Sequence, residues 1–358
     1  MWEKDKNSDG SYFVWIPRYA YRITYYGSEE ADAEITGYYD GRGMVNTAGN
    51  LITTVDGTTI DGSLEDGIQT VTDNDSGISY IVHPAFETDL DLGGWSKDQS
   101  GIWVAKYEMS KAGASLTSTG SGETFYSVPN VRSAVSITIG NMYTYSRNYD
   151  SNKESHLMKN SEWGAVAYLT HSQYGRNGHE IDINNSSTCV TGNGGGSTYA
   201  PKASGVTYAY NNETGMKASS TGNITGIYDL SGGAWESVAA FNDTDTNGYE
   251  EDYGSSFAGT TNPSTKYATK YSNSTTTRNG ASIAYTTGKT GDGTKEAYKG
   301  SSYDNWHGDY SGFVTADYPF FERGGYYYEG SSAGLFCSYY VIGSVNDRRS
   351  FRVILGSV

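Results

Sequence analysis

The sequence predicts an α+β fold with two main helices, C-terminal β-strands and long irregular loops. Its 46 Gly and 33 Tyr residues, together with many Ser, Thr and Asn residues, favour strands, turns and loops over helices. Two segments carry helix signals, and the C-terminal residues form short apolar runs. At 358 residues the chain is long enough to bury a large core, and its aromatic content argues against disorder.

The N-terminal third is predicted to contain strands around an insertion. Residues 11–26 predict one strand, in which Pro17 marks an edge or a bulge. Residues 80–86 and 101–108 predict two further strands. Residues 27–77 are rich in Gly, Asp and Thr and lack apolar periodicity. They therefore predict an inserted excursion of short strands and loops rather than a separate domain.

Two segments in the middle of the chain predict helices. Residues 137–147 follow a polar stretch that contains proline, and they carry no strong apolar stripe. Residues 156–173 have a clear apolar face. Either Asn160 or Ser161 is expected to cap this second helix, with Glu162 in its first turn.

We predict one domain over residues 1–358. Loop-like composition is concentrated in 175–221 and in two insertions, 27–100 and 242–310. Loops of this length in a compact domain usually carry function. The closing segment, residues 323–355, has two regular ends and an unpatterned middle, an arrangement suited to presenting side chains.

The net charge and the hydropathy of the chain limit the classes of partner that we expect. The formal net charge is −16, and such a surface repels phosphate, so neither nucleic acid nor an anionic membrane is expected as a partner. No apolar run approaches ~20 residues, so no membrane insertion is predicted. The chain opens with Met1-Trp2-Glu3-Lys4 and shows no signal peptide. We expect an exported protein whose signal or anchor this chain does not include.

Known catalytic motifs do not occur in the sequence. Cys189 and Cys337 lie far apart, so a disulfide between them is conceivable but cannot be inferred, and neither belongs to a Cys-x-x-Cys motif. The five histidines form no His-Glu-x-x-His motif, and neither a Gly-x-Ser-x-Gly elbow nor a P-loop is found. No catalysis is implied.

Six landmarks occur in order along the chain: 14–17 (VWIP), 104–108 (VAKYE), 157–167 (LMKNSEWGAVA), 226–236 (GIYDLSGGAWE), 323–325 (RGG) and 351–353 (FRV). Together they resemble the formylglycine-generating-enzyme branch of the C-type lectin fold, over nearly the whole chain. The landmark tryptophans, Trp163 and Trp235, are expected to anchor the core. Gly324 and Gly325 are expected to allow close backbone packing.

Two landmark arginines are expected to be structural. Arg323 and Arg352 are predicted to lie on neighbouring C-terminal strands. Each is expected to bond a buried carboxylate such as Glu236 or Asp229, because a buried guanidinium needs a charged partner.

The resembling enzymes oxidise a substrate cysteine with copper that two closely spaced C-terminal cysteines bind. In this chain Cys337 stands without a second cysteine near it, since Cys189 lies in a distant loop. We therefore expect the family chemistry to be absent. An oxidase of this class, or a degenerate relative, remains the alternative.

A second resemblance concerns the closing segment. In the variable proteins of diversity-generating retroelements, which are receptors on phage tails, bacterial surfaces or pili, this fold displays a hypervariable segment between the RGG and FRV strands. Mutation of asparagine codons at adenines yields residues such as Tyr, Ser, Asp, Cys, Arg and Val, but not Lys, Glu, Gln, Met or Trp. Residues 337–349 contain only permitted types, whereas Glu329 does not follow from such a codon.

The resemblance implies a non-catalytic receptor or adhesin that binds an unknown protein or glycan ligand. It would be displayed extracellularly, on a bacterial surface or a phage particle. Tyrosines offer rigid amphipathic area, small polar residues offer adaptable hydrogen bonds, and an arginine offers a charged anchor. The predicted ligand-binding residues are Tyr326, Tyr328, Glu329, Ser331, Ser332, Cys337, Tyr339, Tyr340, Val341, Ile342, Ser344, Asn346, Asp347 and Arg348.

A purely structural tail or surface component is a further alternative. In that case the tyrosines of the closing segment fill the interior. Full burial of Tyr339, Tyr340 and Ser344 would favour this interpretation over display.

No cofactor is predicted to be required, but calcium is a candidate structural ion. Asp243, Asp245, Asn247 and Gly248 match the first half of a calcium loop, with oxygen ligands at alternate positions. The position of the bidentate Glu holds Gly254. The resembling enzymes bind calcium structurally, whereas a solvated acidic loop is the alternative.

Overall fold

The protein has a mixed α+β architecture. The computed structural model describes residues 3–26, 30–39, 44–46, 70–72, 79–88, 94–95, 99–111, 124–195, 207–258, 265–276, 287–299, 303 and 305–357. Within these residues there are three α-helices, namely α1 (Ile139–Tyr149), α2 (Asn160–His171) and α3 (Tyr249–Gly254). None of the helices in the described part of the chain is long and apolar enough to cross a bilayer.

The strands are short and numerous. In chain order they are β1 (Glu3–Lys6), β2 (Tyr12–Pro17), β3 (Tyr19–Tyr26), β4 (Glu30–Tyr39), β5 (Met44–Asn46), β6 (Thr70–Thr72), β7 (Ser79–Val82), β8 (Gly101–Ala105), β9 (Ser110–Lys111), β10 (Phe125–Tyr126), β11 (His156–Leu157), β12 (Trp235–Asn242), β13 (Thr269–Tyr271), β14 (Phe320–Gly324), β15 (Gly334–Val341), β16 (Arg349–Phe351) and β17 (Val353–Gly356).

Three five-stranded sheets organise these strands. The first has the order β1-β2-β8-β17-β11, so strands from both ends of the described chain lie in one sheet, with β8 between β2 and β17. The second has the order β13-β12-β14-β15, and β16 also pairs with β12. The third has the order β5-β4-β3-β7-β6, and β9 pairs with β10 in a small ribbon.

Two hydrophobic clusters lie on opposite faces of β12. Val238 and Ala240 belong to the first cluster, with α2, whereas Ala239 and Phe241 belong to the second, with α1. Successive side chains of a strand point to opposite faces, so a strand that is apolar throughout serves both clusters. All eight residues of β12 are buried, which makes this strand the centre of the fold.

The predicted strand over 11–26 is wrong in one respect, because two strands occupy it. β2 ends at Pro17 and β3 begins at Tyr19, and the two belong to different sheets. Between them, the backbone N–H of Arg18 donates to the carbonyl of Ser100 at 2.9 Å. Since proline lacks an N–H donor, it ends the ladder where the chain passes from the first sheet to the third.

The strands predicted at 80–86 and 101–108 are confirmed but shorter. The first ends at Val82, because a 3₁₀ turn, Pro84–Phe86, begins there. The imidazole Nδ1 of His83 accepts a hydrogen bond from the N–H of Ala85 at 3.2 Å and caps this turn. The second predicted strand ends at Ala105.

Both predicted helices are confirmed with shifted ends. The cap of α2 is not Asn160 or Ser161, because the helix begins after Lys159. The Glu162 carboxylate accepts a hydrogen bond from the Lys159 N–H at 2.8 Å, so the acidic residue of the first turn satisfies the helix start. Asn160 instead donates from its amide to the Tyr271 hydroxyl at 2.8 Å.

The predicted insertions contain regular structure where they are described. β4 is ten residues long and pairs with β3 along its length, so residues 27–77 do not form only short strands. Much of that range lies outside the described residues. In 242–310 the described residues include α3 and β13. The described residues of 175–221 form turns and one short 3₁₀ helix, as the loop-like composition predicts.

Gly325 occupies a position where a side chain does not fit. Its φ is +75°, and a Cβ built there would lie 2.6 Å from the Cβ of Ala333. We expect Gly325→Ala to lower the free energy of unfolding by about 2–4 kcal/mol, through backbone strain and overpacking. Urea unfolding measures this. Gly248→Ala is the matched control, because its φ is +79° but nothing lies within 4 Å, so a loss equal to that of Gly325→Ala would contradict the steric argument.

Candidate ligand-binding surface

The closing segment is held by the second sheet. β14 and β15 pair antiparallel, and Arg323 stands opposite Ser338. The chain bends after β14 at Gly324 and Gly325, which both have positive φ. A Cβ on Gly324 would lie 3.1 Å from the Leu230 carbonyl oxygen, so the predicted close backbone packing at this pair is confirmed.

An aromatic strip runs across this face. We define it as Tyr303, Tyr310, Tyr339, Trp235 and Tyr326. Successive ring centroids are 5.2, 5.5, 5.5 and 6.4 Å apart, and Tyr303 and Tyr310 are stacked. These distances are typical of favourable aromatic pairs. Trp235 and Tyr326 are buried, whereas Tyr303, Tyr310 and Tyr339 are half-buried, so the strip is a partly exposed aromatic platform.

Two further tyrosines adjoin the strip. Tyr328 lies 6.2 Å from Tyr326 and is 48% exposed, and Tyr340 stacks on Tyr339 at 4.7 Å. Tyr340 also contacts Tyr318 at 5.4 Å. The aromatic area therefore continues in two directions from the strip.

The predicted site residues differ widely in exposure. Four are exposed: Tyr328, Ser331, Asp347 and Arg348. Six are half-buried: Glu329, Ser332, Tyr339, Ile342, Ser344 and Asn346. Four are buried: Tyr326, Cys337, Tyr340 and Val341.

The buried set corrects part of the predicted surface. Cys337 is completely buried, with Trp235 and Tyr326, and Val341 packs in the second hydrophobic cluster. Tyr340 is 4% exposed. β15 is buried on both faces along most of its length, so strand pairing places these side chains inside. Tyr339 and Ser344 are not fully buried, so the burial that would favour the purely structural alternative is incomplete.

The loop after β15 has a fixed backbone. The carbonyl of Gly343 accepts from the Ile139 N–H at 3.1 Å, and that of Asn346 accepts from the Ser136 N–H at 2.8 Å. The Arg348 carbonyl accepts from the Trp235 N–H at 2.8 Å. These bonds tie the loop to the start of α1 and to β12. Side chains such as Asp347 are exposed on a backbone that is already ordered.

Two arginines of the loop behave differently. Arg348 donates from Nη1 to the Tyr326 hydroxyl at 3.1 Å, and its guanidinium lies 5.1 Å from that ring. Arg349 forms an ion pair with Glu322 beneath the surface, and it donates to the Ser344 carbonyl at 3.0 Å. Burial raises the pKa of Glu322 to about 7, although Arg349 opposes the shift.

Of the two carboxylates predicted as partners, Arg352 bonds Glu236, from a position between β16 and β17. Its Nε donates to Oε2 of Glu236 at 2.9 Å and its Nη2 donates to Oε1, a bidentate pair that is fully buried. The same guanidinium donates to the carbonyls of Ala105 and Tyr228 at 2.6 and 2.8 Å. Burial raises the pKa of Glu236, and Arg352 counteracts this effect.

The prediction for Arg323 is wrong. Its guanidinium lies 5.6 Å from the Trp163 ring, and its Nη2 is 3.5 Å from the Gly293 carbonyl. It bonds neither Glu236 nor Asp229, although it stands opposite Glu236 in the ladder of β12 and β14, and the Glu236 carboxylate is taken by Arg352. Both landmark tryptophans are buried, as predicted.

The two thiols are buried and apart. Cys189 and Cys337 are both free cysteines. Burial raises the pKa of Cys189 to about 12 and that of Cys337 well above its usual value. Because the thiolate is the nucleophilic form, these shifts lower the reactivity of both thiols at neutral pH.

The three predicted calcium ligands have different partners. Asp243 pairs with Lys270 at 2.8 Å, and Asp245 accepts from the Asn247 and Glu250 N–H groups at 2.9 and 2.8 Å. Asn247 donates from its amide to Asp317 at 3.0 Å. Among the residues that the structure describes, no group of three or more His, Cys, Asp or Glu side chains could hold a metal ion. The described residues therefore give the calcium prediction no support.

Three members of the aromatic strip were not predicted as site residues. Tyr303 and Tyr310 lie at the boundary of a loop-rich insertion, and Trp235 was expected to be only a core anchor. The contacts that place them join residues up to 104 positions apart, between Trp235 and Tyr339. No local sequence signal identifies such a platform.

Comparison with known proteins gives no family. No protein-family model matches the chain, and no curated protein matches it either.

Proposed function

We propose that the protein is a non-catalytic receptor or adhesin that binds a protein or glycan ligand through the face formed by the closing segment and the aromatic strip. The observation that carries this proposal is the continuous, partly exposed aromatic platform beside exposed Tyr328, Asp347 and Arg348. Tyrosine and arginine are the residue types that most often anchor binding interfaces.

The ordered loop backbone supports the same function. A surface that is already rigid loses little conformational entropy when it binds a ligand. The hydrogen bonds from Ser136, Ile139 and Trp235 to the loop do not involve its side chains. Exposed side chains there can therefore change without loss of the scaffold, as a diversified segment requires.

We also propose the finer fold, the C-type lectin fold of the formylglycine-generating-enzyme type. Its six landmarks overlap or adjoin β2, β8, α2, β12, β14 and the β16–β17 region, and the landmark 226–236 leads into β12 at its last two residues. The Arg352–Glu236 pair joins two of them. Extracellular display on a bacterial surface or phage particle belongs to the same proposal, and neither a cofactor nor catalysis is needed for it.

A triple variant tests the binding surface. We expect Tyr328→Ala, Asp347→Ala and Arg348→Ala together to abolish binding of at least one arrayed ligand that the unmodified chain binds. The free energy of unfolding should change by only about 0.5 kcal/mol per site, because all three residues are exposed. The measurement is binding of labelled protein to arrayed glycans and to arrayed bacterial cells, with urea unfolding in parallel.

The matched control replaces three exposed residues elsewhere, Glu213, Lys217 and Glu251, by alanine. It should bind like the unmodified chain. Equal binding by all three proteins would refute the proposed surface, and absence of any binding would refute the receptor function for the ligands on the arrays.

The flanking DNA provides an independent test of diversification. We expect a near-copy of the codons for residues 323–355, differing at adenines, beside a reverse transcriptase gene. If the genomic locus lacks such a copy, the segment is not diversified by this route.

A further inference from the structure

A cavity of about 340 Å³ lies on the first sheet and shares no residue with the aromatic strip or the closing-segment loop. Its volume is within the range of small-molecule sites, about 300–1,000 Å³. The lining residues are Asn7, Phe13, Trp15, Ser100, Trp103, Lys153, Leu355, Gly356 and Ser357.

Two tryptophans dominate this cavity. Trp15 on β2 and Trp103 on β8 stand directly opposite each other in the ladder, and their ring centroids are 5.2 Å apart. Leu355 on β17 is the next residue in the same cross-strand row. Both indoles are half-buried, so each leaves part of its ring at the surface.

Gly101 holds the Trp15 ring in place. A Cβ built on Gly101 would lie 2.4 Å from Cζ2 of Trp15 and 2.4 Å from the Ile16 carbonyl oxygen. The indole of Trp15 therefore packs closely against the backbone at the start of β8. Such packing restricts the ring, and a restricted aromatic platform binds at low entropic cost.

The polar part of the lining is close to neutral. Lys153 lies 3.8 Å from the Asp150 carboxylate and donates to the side-chain amide oxygen Oδ1 of Asn7 at 3.4 Å. The Ser357 hydroxyl donates to Gln99 at 2.9 Å. Hydroxyl and amide groups, together with an ammonium group whose charge Asp150 offsets, suit an uncharged ligand with many hydroxyls. An anion fits less well, because the net charge of −16 repels it.

We propose that this cavity, which we call the tryptophan cavity, binds a neutral sugar ring of a glycan. The apolar face of a pyranose stacks on Trp15 and Trp103, while its hydroxyls bond Asn7, Lys153 and Ser100. Apart from Leu355, its lining lies outside the closing segment, and it shares no residue with the aromatic strip, so it gives the protein a second recognition surface.

The test uses neutral oligosaccharides as probes: cellotriose, maltotriose, mannotriose and chitotriose. Binding of at least one is expected, with a change in tryptophan fluorescence and heat in calorimetry. Trp15→Leu and Trp103→Leu should each weaken it by at least about tenfold, because each removes a stacking surface. Tyr249→Leu, at a half-buried aromatic on α3, is the control and should bind normally.

Three outcomes overturn the proposal: no binding of any probe, binding that survives both tryptophan changes, or binding only of a proline-rich peptide tested beside the sugars. Circular dichroism of each variant separates lost binding from lost folding. If either leucine variant unfolds, Trp15→Phe and Trp103→Phe take its place and should keep part of the affinity. The triple variant of Tyr328, Asp347 and Arg348 should bind the sugars normally, so failure of this site and failure of the proposed receptor surface are distinguishable.

Discussion

Replacing Arg352 by alanine is expected to lower the free energy of unfolding by about 3–5 kcal/mol, enough to unfold a marginally stable domain. The guanidinium is fully buried and makes a bidentate pair with Glu236. Without it, the Glu236 carboxylate keeps no charged partner, and the carbonyls of Ala105 and Tyr228 each lose a donor. A buried charge left unpaired is among the costliest defects in a core.

Two neighbouring carboxyls increase the expected loss. Asp229 and Glu108 are also buried, and burial raises the pKa of both. Asp229 accepts hydrogen bonds from the Asn184 amide and the Gly192 N–H, each at 2.8 Å. Arg352 acts electrostatically on both carboxyls as well as on Glu236. Its removal therefore leaves three acidic groups in one region without their cation.

Urea unfolding at pH 8 and pH 5 measures the effect. The loss should be smaller at pH 5, because Glu236 without its cation protonates there and becomes neutral. Arg348→Ala is the control, since that side chain is 51% exposed and its removal should cost about 0.5 kcal/mol or less.

A double variant tests whether the unpaired charge of Glu236 causes the loss of stability. Arg352→Met combined with Glu236→Leu removes both charges and keeps similar volume, so it should be more stable than Arg352→Ala. If Arg352→Ala unfolds like the unmodified chain, or if the double variant is no better than the single one, the pair is not what secures β12 to the C-terminus.

Short sequence patterns were enough to predict those helices and strands that are determined by neighbouring residues. The apolar face of α2 and the run that became β8 were predicted from local patterns, and Glu236 was one of two carboxylates predicted as partners of Arg352. The start of α2 was missed because a carboxylate three residues into the helix, Glu162, satisfies it without a polar cap residue.

The predictions that were wrong have a common physical cause. Which sheet a strand joins depends on residues that are far away in the sequence. The change of sheet at Arg18 and the placement of Arg323 both depend on pairing with distant strands. The burial of Cys337 and Tyr340 was missed because β15 is covered on both faces, so its sequence has no two-residue period. Tyr310 contacts Tyr339 of the aromatic strip because the chain at Tyr310 is hydrogen-bonded to β15 at Ser338.

Glu322→Gln is expected to remove a pH dependence of stability that the unmodified chain shows between pH 5 and pH 8. Burial raises the pKa of Glu322 from 4.5 to about 7, and the Arg349 charge only partly opposes this. The folded protein therefore holds the proton more tightly than the unfolded chain. The stability that this proton contributes is complete below about pH 4.5 and is lost as the pH rises through about 7.

The expected size follows from the shift. As the pH rises from 5 to 8, ionisation of Glu322 should lower the free energy of unfolding by about 2–3 kcal/mol, since one pKa unit corresponds to about 1.4 kcal/mol. Glutamine cannot ionise, so the variant should be the more stable protein at pH 8, and its unfolding curve should vary less with pH.

Urea unfolding of both proteins at several pH values gives the comparison, with Glu251→Gln, at an exposed position, as the control. Parallel curves for the unmodified chain and Glu322→Gln would mean that Arg349 keeps Glu322 ionised throughout. Glu322 stands opposite Tyr339 across β14 and β15, and Arg349 bonds the Ser344 carbonyl. Ionisation of Glu322 is thus a buried event beside Tyr339 of the aromatic strip, so binding at the proposed surface should vary with pH over the same interval.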